Sequence, residues 1–388
     1  MTPAPPPPPG APGETPHRGA AASLVRFECL AEPGTDRAHR PSGPFAHEAW
    51  SLAVSDESGG VALFVTLAAR VPFGPGNGGA FSLLLAKDGA PAARFLERHP
   101  AEAVSAEGPI LHVRVGENTL TGGRDHNLTL FELHLDETRP GSRERVRGDL
   151  LLQLPYDDAG RRAPFPASRP AGPVAAEEEE VWTCLAADAI VRGVVVVEDR
   201  RGVLRHRAEI RGRGAIEHTA GLSELRRSLR FAVRSTLHRD DLALFLWHAT
   251  PSGSSAARTG LFLTERGRPL LSLDAASLAA PAGNGRLPES IDCRVGGDAA
   301  GARVRHAVER VLERGPHFLR FRPDIRVEAT IPGRGTLAFE GTGLSEVVFP
   351  PRLGRSLAGA IGATRWRDDR SGAGLEPGPP SSPRPPGE

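Results

Sequence analysis

The chain has three cysteines, Cys29, Cys184 and Cys293, odd in number and far apart. That excludes a disulfide framework and a CxxC zinc site, and leaves three buried free thiols behaving as small hydrophobes. Lysine is nearly missing: Lys87 is the only one, so arginine carries almost all of the positive charge. The arginine excess, with the richness in Ala, Gly and Pro, reads as a coding bias, because 48 basic residues are balanced by 47 acidic ones, giving a net +1. Such a balance leaves no electrostatic footprint for nucleic acid. No run reaches the eighteen or so apolar residues of a membrane span, and the first residues lack the basic and apolar regions of a signal peptide. A soluble, cytoplasmic protein is therefore expected. The sequon at Asn127 carries little meaning without secretion.

The catalytic templates are absent too. There is no GxGxxG after a strand, no GxxxxGK[ST], no HExxH, no GxSxG and no EF-hand loop. The cluster "GPGNGGA" lacks the lysine of a phosphate cradle. Neither a nucleotide cofactor nor a bound metal is indicated, and none is expected.

What is present is a succession of short apolar runs rich in Val, Leu and Phe, bounded by Gly, Asp, Asn and Pro. "EAWSLAVSD", "GVALFVTLAARVPF" and "GAFSLLLAKDG" open the series, and "VWTCLAADAIVRGVVVVEDRRG", "LRFAVRSTLHRDDLALFLWHATPSG" and "LRFRPDIRVEATIPG" continue it. This is an all-β signature. In "NLTLFELHL" the apolar phase slips by one, which predicts a β-bulge. Asp240 and Asp241, and the stretch "ERGRP", predict hairpin turns. "ARVRHAVERVLE" suits a strand or a helix equally, since periodicity alone does not separate them.

The stretch 158–180, proline-rich and then four glutamates, reads as a connection between two β-domains. The expected organisation is a disordered tail over 1–24, a β-domain over 25–157, the linker, a second β-domain over 181–368 and a disordered tail over 369–388. A helix is expected in "PRLGRSLAGAIGATRWR", its arginines opposite Leu357, Ile361 and Trp366. It packs on a sheet or, as a basic amphipathic helix, lies on an anionic membrane.

Two places hold candidate chemistry. "GRGAIEHTAG", 212–221, reads as a Gly-bounded turn carrying an adjacent acid and imidazole, Glu217 and His218. "LFLWHAT" places Phe245 and Trp247 on one face of a strand and His248 on the other. A functional reading needs loop and strand to converge inside a barrel. Otherwise they are a turn, a core tryptophan and a surface histidine.

The order of segments resembles the two-domain, lipocalin-like family of carotenoid 1,2-hydratase (hydroxyneurosporene synthase) and AttH-like proteins. "HEAWSLAVSDESGGVALFVTLAARVPFGPG" is similar to its opening EWWYFDA pattern, and "GRGAIEHTAG" to its GRGYxDHNWG. "GPHFLRF" and "GTGLSEVVFPPRL" are similar to later PFYxR and GxxEYxxP patterns. The resemblance runs over roughly 25–355 through dispersed positions. It implies an all-β fold of two tandem lipocalin-like barrels or sandwiches, and cofactor-free addition of water to a terminal double bond of an acyclic carotenoid. That chemistry asks for an acid, an apolar tunnel and aromatic faces around a cation.

Carried over by position, Glu217 stands for the family's Asp and His218 matches its His, while Thr219 replaces Asn and Ala220 replaces Trp. On the following strand Phe245 replaces Tyr and Trp247 replaces Asp, or, with one gap, His248 replaces Asp. Ala49 replaces the first tryptophan of the opening pattern, while Glu48 and Trp50 remain. The resemblance thus implies Glu217, His218 and His248 as catalytic candidates, with Trp50, Phe245 and Trp247 as walls for an apolar small molecule. Three readings follow: a hydratase-type enzyme with altered residues, a pericyclase-like protein that folds a polyene, and a non-catalytic binder of an apolar ligand. Peripheral contact with a membrane goes with all three.

Overall fold

The structure is a computed structural model that describes residues 25–29, 38, 41, 46–71, 78–107, 111–125, 128–155, 180–221, 229–251, 257–282, 290–314 and 318–348. Both expected tails, nearly all of the 158–180 connection and the expected helix at 351–367 lie outside the described residues. The described chain is all-β, as its sequence pattern implies, with only a single 3₁₀ turn at Ala101–Ala103.

The first sheet is built from β1 (Val25–Cys29), β2 (His47–Asp56), β3 (Val61–Arg70), β4 (Gly79–Lys87), β5 (Ala90–His99), β6 (Val104–Glu107), β7 (His112–Val115), β8 (Asn118–Asp125), β9 (Leu128–Thr138), β10 (Arg145–Pro155), β11 (Glu180–Glu198) and β12 (Leu204–Gly221). Its order is β5-β4-β3-β2-β12-β11-β10-β9-β8-β7-β6, with β1 pairing parallel to β11. The sheet curls until β6 and β7 return against β3, making a nearly closed barrel. The second sheet contains β13 (Leu229–Arg239), β14 (Leu242–Pro251), β15 (Ala257–Glu265), β16 (Arg268–Ala282), β17 (Ser290–Gly296), β18 (Gly301–Arg314), β19 (Phe318–Ile331), β20 (Gly335–Thr342) and β21 (Leu344–Val348). Pairing of β18 with β19 joins the far ends of this second sheet, so it closes on itself while β20 flanks it. The hydrogen-bonded sheets therefore change over between β12 and β13, after β11 and β12 have joined the first.

Each barrel has its own apolar filling. Trp50, Leu67, Phe81, Phe131, Leu152 and Ile216 belong to the first, and Leu244, Leu246, Leu261, Val304 and Phe321 to the second. Fully burying side chains of this size stabilises by about 1.5–3 kcal/mol each. A third cluster, Phe27, Trp182, Phe245, Trp247 and Phe262, sits between the sheets. Gly260 makes room for it, since a Cβ there would come within 2.9 Å of the Phe27 ring.

Several sequence expectations are corrected. "GRGAIEHTAG" is not a turn but the last half of β12, paired residue for residue with β2 and, across register shifts between Cys184 and Ala189, with β11. Its glycines serve backbone approach within the sheet: a Cβ on Gly212 would strike the Ser55 carbonyl oxygen. β9 has no bulge, because its register with β8 and β10 is unbroken. Thr129 takes an inward place in phase with Phe131, and Leu130 stays half-buried outside. "ARVRHAVERVLE" is strand β18. The turns at Asp240–Asp241 and Arg266–Gly267 form as expected, with Asp240, Arg266 and Gly267 in the left-handed region. Cys184 and Cys293 are free and buried.

Candidate functional site

Strand alternation decides where each candidate side chain points. On β12, His218 lies opposite Trp50 and Ile216 opposite Leu52, and both face the first barrel's interior. Glu217 lies opposite Ser51 and Cys184, on the other side of the same strand, toward the second sheet. On β14, Leu244 and Leu246 fill the second barrel, and His248 shares their face, while Phe245 and Trp247 look back at Glu217. The structure brings Glu217, Phe245 and Trp247 together. It places His218 with Trp50 in one barrel and His248 in the other.

At the junction Glu217 is 3% exposed, and its Oε2 accepts a hydrogen bond of 2.7 Å from the Trp247 indole Nε1–H. Its Oε1 is paired with the Arg234 guanidinium. Arg234 also reaches Glu346 at 2.9 Å, Arg320 binds the other Glu346 oxygen at 2.6 Å, and Arg320 contacts Glu313 at 3.0 Å. Burial lowers the pKa of Arg234, opposed by the attraction of Glu346. Burial acts to raise that of Glu346, but Arg234 and Arg320 outweigh it and hold the carboxyl down at about 2. For Arg320, the pull of Glu346 and Glu313 more than offsets burial, and its pKa is raised. Alternating the signs of the charges in this way is how buried charge is tolerated.

Aromatic rings wall the same place. Trp247 stacks on Phe27 at 5.4 Å and meets Phe245 edge-on at 4.6 Å and Trp182 at 6.4 Å. A narrow crevice lined by Phe64, Glu217, Arg234, Phe245, Leu344 and Glu346, among others, holds about 20 Å3, room for one water molecule. Replacing Trp247 by Phe keeps the ring packing but removes the donor to Glu217. The expected cost is about 1–3 kcal/mol in a urea melt; an unchanged midpoint would mean that the hydrogen bond contributes nothing.

Inside the first barrel, His218 Nε2 lies 3.0 Å from Glu48 Oε1, and its ring stacks on Trp50 at 4.1 Å with only 9° between the planes. All three are buried. In the second barrel His248 is bonded to Thr259 at 2.8 Å and Thr250 at 3.1 Å. Burial, and secondarily the nearby His306, pushes it down to about 4, so it is neutral at pH 7. Among the described residues no group of three His, Cys, Asp or Glu is placed to hold a metal.

Sequence reasoning missed Arg234, Arg320, Glu346, Phe27 and Trp182 at the junction, and the pairing of Glu48 with His218. The available signal was an arginine in the middle of "LRFAVRSTLHR" and an acid in "HEAW", both charged residues inside apolar strands.

Fold and site together define an all-β protein with two barrel-shaped sheets and a buried ionic and aromatic junction between them. Comparison with protein-family models and with curated proteins gives no match. Among solved structures the chain is similar to CghA with Sch210972, at TM-score 0.53 and 13% identity over 82% of this chain and 95% of that one. It is equally similar to CghA alone, at TM-score 0.54 and the same identity and coverage. At that identity the likeness is one of fold. No helix among the described residues is long and apolar enough to cross a membrane.

Proposed function

We propose that the junction between the sheets receives an apolar polyene and holds it in a folded conformer that cyclises without a cofactor. The observation that carries this reading is the state of Glu217: both oxygens already accept, from an indole N–H and a guanidinium, inside an aromatic enclosure. A carboxylate so engaged is set to receive donors, not to protonate an alkene. A cyclisation that redistributes electrons within one molecule needs no proton donor. It gains its rate from holding the reacting ends close and aligned, and rings such as Phe245 and Trp247 offer flat apolar faces for that. Because the crevice is water-sized, seating a polyene requires the surrounding rings to shift while the Glu217–Arg234 pair stays in place. That a protein of this fold, CghA, has been solved with Sch210972 supports a small-molecule reading. Polyenes partition into bilayers, so peripheral membrane contact through the basic stretch 352–367 belongs to the same proposal.

The test is a pair of variants assayed on a linear polyene. Phe245→Leu is expected to slow formation of the cyclised isomer at least tenfold, and His218→Ala to leave it unchanged, since His218 faces the other way. The reverse pattern would refute the junction as the site.

One observation favours a second reading. The Glu48–His218 pair, stacked on Trp50 within an apolar barrel, has the parts of a proton-transfer site beside a ring able to face a cation. In this hydratase-type reading a terminal double bond of an acyclic carotenoid is protonated there and takes up water. His218→Ala would then abolish a product heavier by one water, while Phe245→Leu would spare it.

A further inference from the structure

Neither reading of the site uses Cys29 or Cys184. The two are far apart along the chain, yet the parallel pairing of β1 with β11 sets them directly opposite each other, in step with Phe27 opposite Trp182. Neighbouring strands lie about 4.8 Å apart, and a disulfide asks for roughly 4.4–6.8 Å between its Cα atoms. Positions opposite one another on adjacent strands share a face of the sheet, and so do positions two apart on one strand. That face is the junction: Phe27, Trp182 and Cys184 belong to one buried cluster with Trp247. The backbone therefore holds the two cysteines at bonding register where the aromatic rings meet.

β1 is held lightly by its backbone. It has five residues and pairs with β11 alone among the described strands, and short strands with one neighbour open locally at little cost. What it contributes is Phe27, 2% exposed, stacked on Trp247 at 5.4 Å, edge-on to Trp182 at 5.7 Å and seated over Gly260. We propose that Cys29 and Cys184 form a redox-controlled staple: their oxidation to a disulfide pins β1, and with it the Phe27 ring, over the junction. Cys184 is fully buried, so an oxidant reaches the pair when β1 opens. With glutathione disulfide as oxidant, one thiolate of the pair attacks its S–S bond and releases a reduced glutathione, and the second thiolate displaces the other. One S–S bond breaks and one forms, and the two protein thiols give up two electrons and two protons to the two glutathiones. Cys293 lies in the second barrel's core, where burial, with a smaller push from Asp292, raises its thiol to about 12 and keeps it out of the exchange. The bond itself is independent of the proposed function. Only its effect on a ligand rests on that reading, because a pinned Phe27 is one of the rings that has to shift.

The test treats the purified chain with glutathione disulfide and digests it without reduction. A tryptic product joining Cys29 to Cys184, lighter by two hydrogens than the sum of its two peptides, is expected, and Cys29→Ser is expected to abolish it. In the oxidised chain, hydrogen exchange of the β1 amides should slow about tenfold. The urea midpoint should rise, since closing so long a loop constrains the unfolded chain. Neither change should follow the same treatment of Cys29→Ser. A mixed disulfide that stops at glutathione, a link to Cys293, or β1 amides that exchange equally fast in both forms would overturn the staple. Neither measurement uses a ligand, so a failed staple leaves the cyclisation reading standing, and a chain that cyclises nothing can still form the link.

Discussion

Moving the protein from pH 7 to pH 5 is expected to remove on the order of 5 kcal/mol of folding stability. Three histidines are responsible: His238, His248 and His306, each lowered from 6.5 to about 4. Burial is the main cause in all three. It is joined for His248 by His306, and for His238 by Arg213 working against the attraction of Asp188. Since the folded values lie below the unfolded one, the unfolded chain takes up protons first as the pH falls. Their contribution is whole above pH 6.5, declines from there toward pH 4 and is gone below it. At pH 5 each ring accounts for a loss of about 2 kcal/mol if it titrates independently. Glu346 acts in a lower window: with its folded value about 2 against an ordinary 4.5, its contribution is present above pH 4.5 and fades as the pH falls toward 2. Urea melts at pH 7 and pH 5 measure the effect, and His238→Leu should flatten the dependence by one proton. A difference below about 1 kcal/mol would contradict the burial of these rings.

The second large effect concerns the ionic junction. Arg320→Leu leaves Glu346 and Glu313 short of a partner in a buried setting, and is expected to cost about 3–5 kcal/mol. It also removes a cation from above the rings of Phe64 and Phe318, at 5.3 and 5.1 Å. Adding Glu346→Gln to Arg320→Leu should recover part of the loss, because the uncompensated charge is then gone. The pair should deviate from additivity by about 0.5–3 kcal/mol. Strict additivity of the two substitutions would show that the residues do not act as one network.

The all-β class was legible because alternation and turn residues are local signals. Asp240–Asp241 and Arg266–Gly267 declared their hairpins in this way. β18 was ambiguous for the same reason: His306 and Val308 satisfy a strand face, while Val304, Val308 and Leu312 satisfy a helix stripe. "GRGAIEHTAG" misled because glycine commonly marks a turn, whereas here Gly212 and Gly214 let the backbone of β2 lie close to that of β12. Once the segment is a strand, adjacent residues 217 and 218 point to opposite sides of the sheet. The junction network was illegible, since Glu217 is 17 residues from Arg234 and 129 from Glu346 along the chain, and no local pattern links them. Partners so far apart are chosen by how β13 and β21 pack behind β12, which is a property of the assembled sheets.

The most direct test of the proposed function is the mass of the product formed from a linear polyene by the purified chain. A cyclised isomer of unchanged mass is the result expected from a junction that folds its ligand and supplies no proton. A product heavier by one water would contradict that account and move the chemistry to Glu48 and His218 in the first barrel.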